Sequence, residues 1–158
     1  MDSSLENKVI LITGGAKRVG AAICRLLHAG GAQLMIHYRS SDDEARTLQT
    51  ELNLQRPNSV AIIQGDLLRL SVLPKLVQET VQHFGRLDAL INNASSYYPS
   101  ELGTINEHQW EDLIGPNLKA PLFLSQAAAP ELKKTHGTII NITDMHVERP
   151  KKGYIVYS

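Results

Sequence analysis

A glycine-rich run near the start of the chain has the composition of a phosphate-binding turn. Residues 13–20 (TGGAKRVG) follow a short β-branched stretch and precede an apolar stretch of helical character. Gly14 permits a tight turn, and Gly20 permits close packing of the helix that follows. Free backbone N–H groups and the positive end of the helix dipole suit a pyrophosphate. The run therefore predicts a nucleotide phosphate site, the alternative being a tight turn that binds nothing.

A second polar segment, residues 37–41 (HYRSS), follows the next β-branched run. A site for NAD usually has a carboxylate here to bind the ribose 2′-hydroxyl, and this segment has none. A guanidinium, an imidazole and hydroxyl groups suit a 2′-phosphate instead, because arginine can hold a phosphate through two parallel charge-assisted bonds. The segment favours NADPH over NADH, unless it is an ordinary polar loop. The residues expected at this end of the cofactor are His37, Tyr38, Arg39 and Ser40.

These two segments need a framework that places strand ends side by side, and the rest of the chain predicts one. Apolar runs alternate with segments of helical periodicity. The predicted strands are 8–13, 33–38, 60–64, 89–91 and 138–142, and the predicted helices are 21–29, 42–55, 71–84, 109–114 and 117–134. Almost continuously apolar strands indicate a parallel sheet with helices on both faces. Right-handed crossovers then give a doubly wound α/β (Rossmann) fold of strand order 3-2-1-4-5, with its ligand crevice at the carboxyl ends of the strands.

The composition is typical of a single globular domain of the cytosol. The 158 residues include 16 Lys+Arg and 16 Asp+Glu, with 42% apolar residues. This balance argues against nucleic-acid or membrane-surface binding, which needs a basic excess. The single cysteine, Cys24, can form no internal disulfide and lies in an apolar stretch typical of a core. No apolar run approaches the roughly 18 residues that span a bilayer, and no histidine pair has metal-ligand spacing.

The glycine-rich turn resembles the fingerprint of the short-chain dehydrogenase/reductase family, T-G-x-x-x-G-x-G. One position departs, because Arg18 stands where the family usually has its middle glycine. This departure is similar to the pteridine reductase branch, in which the arginine lies near the cofactor phosphate and the substrate. Taken alone, Arg18 could be a solvated residue at a helix start. The resemblance implies cofactor contacts from Gly14, Lys17, Arg18, Val19 and Gly20.

Two further segments extend the resemblance along the cofactor. Residues 66–67 are similar to the family's adenine-contacting pair, Asp66 and Leu67, although Asp66 alone could be a helix cap or a turn residue. Residues 92–94 match the family's N-N-A-G motif, with Ser95 at the usual glycine. The resemblance implies that the cofactor site is lined here by Asn93, Ala94 and Ser95.

The segment after this motif implies a flat, polar substrate. Residues 93–99 (NASSYYP) are similar to the pteridine reductases, in which an aromatic residue at the position of Tyr97 stacks a pterin ring against the nicotinamide. The alternative is that Tyr97 and Tyr98 pack against a neighbouring loop. Asn117 matches the asparagine that holds a water in the family's proton relay. The implied substrate contacts are Arg18, Ser95, Tyr97, Asp144 and Tyr157.

The resemblance also implies the catalytic groups. Most of the family has a serine at the position of Asp144, and pteridine reductases have aspartate; taken alone, Asp144 could be a strand-end cap. The family's tyrosine follows thirteen residues later, which selects Tyr157. Tyr154 is the rival, but its Y-x-x-x-K partner would be Ser158. The lysine belonging to Tyr157 would fall three residues past the last residue, and without it a tyrosine of pKa about 10 is a slow proton donor.

We therefore expect residues 1–158 to be the dinucleotide-binding domain of an NADPH-dependent reductase of pterins or dihydrofolate, without the family's last strands. Alone, this segment is expected to be inactive and poorly soluble, whereas the parent enzyme is expected to be a homo-oligomer. Two alternatives are a non-catalytic nucleotide-binding or interaction protein and the unstable product of an interrupted gene. A third is a ketone or acyl-carrier-protein reductase of the same family, against which Asp144 argues.

Overall fold

A parallel five-stranded sheet runs through the computed structural model, which describes residues 5–158. The strands are β1 (Val9–Ile12), β2 (Gln33–Tyr38), β3 (Val60–Gln64), β4 (Ala89–Asn92) and β5 (Thr138–Asn141). Their spatial order is β3-β2-β1-β4-β5, and each neighbouring pair is parallel. The predicted fold class and strand order are confirmed.

Helices connect the strands and cover both faces of the sheet. Within the described residues the α-helices are α1 (Arg18–Ala29), α2 (Asp42–Gln55), α3 (Leu73–Phe84), α4 (Glu107–Ile114) and α5 (Ala120–Thr135). A π-helical segment, Gly115–Lys119, joins α4 to α5. Short 3-10 turns occupy Leu70–Val72 and Met145–Val147. None of the helices in residues 5–158 is both long enough and apolar enough to cross a bilayer.

Helix starts depart from the predicted bounds for local reasons. Asn106 and Gln109 form a reciprocal capping box, in which each side chain accepts from the other residue's backbone N–H, so α4 begins at residue 107 instead of 109. Ser71 does not cap α3, because it lies within the preceding 3-10 turn, and α3 begins two residues later. The start of α1 at Arg18, three residues earlier than predicted, brings the first helical turn into the phosphate run.

The sheet separates two hydrophobic layers. Successive side chains of a strand point to opposite faces, so Leu11 packs in one layer and Ile10 and Ile12 pack in the other. The first layer is completed by α3 and α5, and the second by α1 and α2. Cys24 is fully buried in the second layer, as the sequence predicts, and burial raises the pKa of its thiol to about 12.

β5 lies at the edge of the sheet and differs from the inner strands. All four of its residues are exposed, whereas all four residues of β1 and of β4 are buried. Its backbone pairs with β4 so that Thr138 lies opposite Ala89 and Asn141 lies opposite Asn92. β5 is therefore held mainly by its hydrogen-bond ladder with β4. It ends at Asn141, three residues before Asp144.

Candidate active site

The phosphate turn joins β1 to α1 at the carboxyl edge of the sheet. Gly14 has a left-handed backbone with a φ of 62°, and a Cβ placed on it would lie 2.9 Å from the Cα of Ala94. A Cβ on Gly20 would collide with the carbonyl oxygen of Gly14. Position 14 needs glycine because of both its left-handed backbone and the close approach of Ala94. Position 20 needs glycine only because the Gly14 carbonyl lies so close.

The first turn of α1 leaves backbone donors facing the same region. The first helical hydrogen bond runs from the N–H of Ala21 to the carbonyl of Lys17, at 3.1 Å. The N–H groups of Arg18, Val19 and Gly20 precede this ladder and have no partner within the helix. Such groups bind anions well, so the turn has the chemistry of a phosphate site.

Arg18 occupies a strained position in this turn. Its φ is 48°, a left-handed conformation that costs an L-residue with a side chain roughly 1–2 kcal/mol. The fingerprint of the family has glycine here, which would adopt the same backbone without that cost. Strain of this kind at a ligand site points to a function of the side chain.

His37 lies inside the site rather than on its surface. The N–H of Gly14 donates to Nδ1 of the imidazole at 3.3 Å, so Nε2 carries the proton and donates to the carbonyl of Gly65 at 3.1 Å. The N–H of Gly15 donates to the His37 carbonyl at 3.0 Å. Burial lowers the pKa of this histidine to about 4, so the ring is neutral at pH 7. The ring is therefore not a cation for a 2′-phosphate, and its hydrogen bonds link the phosphate turn to the segment after β3.

The rest of the ribose end keeps one guanidinium and two hydroxyl groups at the cleft. Arg39 is exposed, and its nearest carboxylate partner is Asp112 at 3.8 Å. The buried Tyr38 donates its hydroxyl to Asp42, and Arg46 donates to the other oxygen of that carboxylate at 2.6 Å. The carboxylate of Asp42 at the start of α2 is therefore paired within the protein next to Arg39, Ser40 and Ser41.

Lys17 makes a contact that sequence reasoning missed, and Asp66 has the geometry of the turn residue given as its alternative role. Lys17 forms an ion pair with Glu44 at 2.7 Å, which links the phosphate turn to α2. Asp66 accepts the N–H of Leu68 at 3.1 Å, the geometry of a turn residue. Part of the charge expected for cofactor binding is thus already engaged within the protein.

These segments line one open cleft of about 450 Å³. Its walls contain every residue that the sequence predicts to contact the cofactor. The residues that sequence reasoning did not single out are Ala16, Ser41, Leu68, Ser96 and Pro116. The free N–H groups and the close approaches at glycine fit the phosphates of a dinucleotide.

The segment after β4 ties neighbouring strand ends together. The side chain of Asn93 donates to the carbonyls of Thr13 at 2.9 Å and Gly14 at 3.0 Å. The hydroxyl oxygen of Thr13 accepts the N–H groups of Asn93 and Ala94, both at 3.0 Å. Asn92 donates to the side-chain oxygen of Asn141 at 2.8 Å. This network fixes β1, β4 and β5 relative to one another at the edge where the clefts open.

The side chain of Asn117 holds the loop after β4 through two hydrogen bonds. It lies in the π-helical segment, a rare geometry that occurs frequently at functional sites. Its amide nitrogen donates to the carbonyl of Ser96 at 2.8 Å, and its oxygen accepts the N–H of Ser96 at 3.2 Å. The side chain therefore positions the loop that carries Ser95 and Tyr97, and its place in a proton relay stays a prediction.

A second cleft of about 460 Å³ shares Ala94 and Ser95 with the first. It contains Asp144 and Tyr157, and the hydroxyl of Tyr157 donates to Asp144 at 3.0 Å. Burial and then this carboxylate raise the pKa of Tyr157, whereas the N–H of His146 and then the phenol lower the pKa of Asp144. The structure thus brings together the two groups selected from the sequence, with the proton on the phenol.

Tyr97 belongs to an aromatic cluster at the edge of this cleft. Its ring stacks on Tyr154, with centroids 4.7 Å apart, and meets Tyr157 edge to face at 4.8 Å. His146 lies parallel to Tyr97 at 6.1 Å. These contacts correspond to the alternative in which Tyr97 packs against a neighbouring loop, yet 44% of the residue remains exposed. Of the predicted substrate residues, Arg18 lines the first cleft, Asp144 and Tyr157 line the second, and Ser95 lines both.

The doubly wound sheet and the two clefts at the carboxyl ends of its strands are consistent with what comparison with known families finds. The profile of the short chain dehydrogenase family matches residues 8–158, and the chain belongs to that family. Its members are oxidoreductases that act on small molecules with a nicotinamide dinucleotide.

Three curated relatives illustrate what the chain is similar to. Pteridine reductase 1 of Leishmania tarentolae is 32% identical over 196 residues, with 100% of this chain and 68% of the relative covered. An uncharacterized oxidoreductase of Staphylococcus aureus is 30% identical over 155 residues, with coverages of 98% and 65%. Another, from Methylorubrum extorquens, is 32% identical over 156 residues, with coverages of 99% and 62%. The chain spans about two thirds of the length of these curated relatives.

Proposed function

We propose that the protein reduces a pterin or a dihydrofolate-type substrate with NADPH, and that residues 1–158 are its dinucleotide-binding domain. The observation that carries the proposal is the 3.0 Å hydrogen bond from Tyr157 to Asp144, placed in a cleft continuous with the nucleotide cleft. The similarity to a protein named pteridine reductase 1 supports the substrate class.

The first cleft would hold the cofactor from its phosphates to its adenosine. The N–H groups at the start of α1 face the position of the pyrophosphate, and Arg39 and Ser40 that of the 2′-phosphate. When bound, NADPH supplies a hydride. Asp66 is the one carboxylate among the residues that line the cleft, and it already accepts a hydrogen bond from Leu68. An additional phosphate would therefore meet little like-charge repulsion.

Cofactor choice is tested by the substitution Arg39→Asp in the full-length natural protein. A charge-assisted hydrogen bond contributes about 1.5–3 kcal/mol, so the unmodified protein should bind NADPH at least about tenfold more tightly than NADH. Arg39→Asp should reverse that order in calorimetric titrations. Lys133→Asp makes the same change in charge near the end of α5, which leads to the opposite edge of the sheet, and should leave the order intact. Equal affinities of the unmodified protein for NADPH and NADH would contradict the proposal.

The second cleft would supply the proton. Reduction of a C=N bond requires a proton at nitrogen, and the phenol of Tyr157 is the acid that faces the cleft. The carboxylate of Asp144 orients this phenol by accepting its proton in a hydrogen bond. Because no cation hydrogen-bonds Tyr157 among residues 5–158, burial and Asp144 set its acid strength there. Transfer of the proton to substrate nitrogen would leave a phenolate beside a carboxylate, so a cation near Tyr157 should accelerate the step.

The other walls favour a flat heterocycle with polar edges. Arg18 carries backbone strain and lines the first cleft, whereas Tyr97 is 44% exposed and its ring contacts Tyr157 of the second. An aromatic contact contributes about 0.5–1.5 kcal/mol beyond the area that it buries. A pterin has both the π-face and the ring of hydrogen-bonding groups that such walls would recognise.

The substrate class is tested by following NADPH oxidation by the full-length natural protein with a dihydropterin, dihydrofolate and a simple ketone. We expect turnover of the pterin-type compounds and a KM raised about two- to tenfold by Tyr97→Ala, with a smaller change in kcat. Tyr98→Ala is the matched control, because the Tyr98 hydroxyl points to the carbonyl of Gln109 instead of the cluster. Rapid turnover of ketones with none of the pterins would show that the substrate class is wrong.

A further inference from the structure

A lysine ammonium lies over the aromatic cluster at the edge of the second cleft. Lys151 donates to the hydroxyl of Tyr97 at 3.1 Å, and its Nζ lies 4.2 Å from the ring centroid of Tyr154. The side chain is exposed, and no carboxylate pairs with it among the described residues. An ammonium has three donors, so the bond to Tyr97 leaves donors for another acceptor.

This ammonium is one aromatic ring away from the reacting groups. Tyr97 touches Lys151 through its hydroxyl and Tyr157 through the edge-to-face contact of the rings. A ring bound next to Tyr157 and Tyr97 would therefore have Lys151 beside whatever substituent extends outward from it. The hydrogen bond to Tyr97 and the contact with Tyr154 raise the pKa of Lys151, so the group is charged at pH 7.

No lysine or arginine of residues 5–158 lines the second cleft. Among the same residues, its one lining carboxylate, Asp144, has a lowered pKa and is negative at pH 7. An anionic substituent would be repelled from the interior and would have to leave the cleft at its edge. The segment there, residues 148–152 (ERPKK), carries three cations and one carboxylate, and of its cations Lys151 is the one bonded to the cluster.

We propose that Lys151 determines substrate specificity by binding an anionic group on the tail of the flat substrate, so that a pterin with a carboxylate tail binds in preference to an uncharged pterin. The inference rests on the proposed function, because it assigns the substrate tail at the same site. The contact would be an exposed ion pair, for which a contribution of up to about fivefold in affinity is typical.

The test compares two pterins that differ in their tails. Folate carries the carboxylates of a glutamate, and 6-hydroxymethylpterin has no charged tail. Both are titrated calorimetrically into the full-length natural protein saturated with NADP⁺, so that no turnover occurs. Lys151→Met should weaken folate about fivefold and 6-hydroxymethylpterin less than twofold. Lys151→Arg keeps the charge and should retain the preference, and added salt should reduce it in the unmodified protein.

Lys152→Met is the matched control, since it removes the same charge one residue away from the cluster. It should change neither affinity more than twofold. Equal weakening of both pterins by Lys151→Met would overturn the inference, because Lys151 would then only orient Tyr97. Equal effects of the two methionine variants on folate would overturn it too, because a diffuse positive field would explain the preference. Failure of both pterins to bind the unmodified protein would overturn the proposed function itself, and this inference with it.

Discussion

The two clefts are built on strands of opposite character. The nucleotide cleft lies over the ends of β1, β2 and β4, in which nearly every residue is buried, whereas the second cleft lies against β5, in which all four are exposed. Backbone approaches at Gly14 and Gly20 shape the first cleft. Side chains from loops, stacked around Tyr97, shape the second.

The sheet determines the shape of the nucleotide cleft, whereas loops determine the shape of the second cleft. In the nucleotide cleft, an added side-chain atom would contact backbone atoms. That backbone cannot shift easily, because the strands beneath it are packed on both faces. In the second cleft, exposed side chains can adjust, since their contacts are made at the surface. We therefore expect substitutions in the first cleft to affect folding and binding together, and those in the second to change binding or titration alone.

The largest effect is expected for Gly20→Ala. The added Cβ would collide with the Gly14 carbonyl oxygen and lie 2.7 Å from the side-chain nitrogen of Asn93. Overpacking of this kind costs about 1–3 kcal/mol, and displacement of the turn should also abolish detectable NADPH binding. Urea denaturation and calorimetry measure the two effects.

Gly30→Ala is the matched control in the same helix. Gly30 is the C-cap of α1 with a φ of −77°, and its Cβ would meet the flexible end of Leu5 at 3.3 Å. This variant should lose less than about 1 kcal/mol and bind NADPH normally. A Gly20→Ala variant that behaves like the control would show that the nucleotide cleft is as adjustable as the second one.

His37→Asn tests whether the imidazole holds the phosphate turn. The unfolded chain protonates this histidine below its ordinary pKa of 6.5, but the folded protein does so only near pH 4. Its contribution to stability is therefore present above pH 6.5 and is lost as the pH falls toward 4, by up to about 3 kcal/mol. The variant should lack this part of the pH dependence when the free energies of unfolding are compared at pH 7, 5 and 4.

A second buried histidine, His28, is the reason that the unmodified protein must be compared with the His37→Asn variant. Burial also lowers the pKa of His28, so the unmodified protein contains both contributions. His28 is unchanged in the variant, and the difference between the two proteins isolates His37. Parallel pH profiles would mean that the imidazole is not buried in a neutral form.

The sequence predicts the framework and the nucleotide residues because both depend on local patterns. Each strand is an apolar run bounded by glycine or polar residues, and parallel strands place their carboxyl ends along one edge, so residues from separate segments converge on one cleft. The role of His37 does not follow from its type, since only the packing of β2 against β3 shows that the ring is buried. Lys151 and His146 stand in a polar loop, and their contacts with Tyr97 depend on tertiary stacking. The capping box of Asn106 and Gln109, in contrast, is a local pattern of two residues three apart, which the sequence alone displays.

Asp144→Asn should change a titration without changing the fold. The carboxylate accepts the phenolic proton of Tyr157 and, after burial, is the main cause of the raised pKa of that phenol. A neutral amide repels the phenolate less, so the pKa of Tyr157 should fall toward its ordinary value. Ultraviolet titration of the tyrosines, with Tyr157→Phe to identify the transition, measures the shift. If the pKa of Tyr157 rises or stays constant in this variant, the carboxylate of Asp144 does not act on the phenol.

The smallest effect is expected on β5, where one pair of residues allows a direct comparison of the two regions. Ile91 of β4 and Ile140 of β5 are partners in the sheet register, but Ile91 is 4% exposed and Ile140 is 44% exposed. Removing one methyl group from a packed site costs about 0.5–1.5 kcal/mol, and a surface substitution stays within about 0.5 kcal/mol. In urea denaturation of the 158-residue chain, Ile91→Val should therefore lose clearly more stability than Ile140→Val. Equal losses would mean that β5 is covered in solution, and a loss at Ile140 that grows with protein concentration would identify a second copy of the chain as the cover.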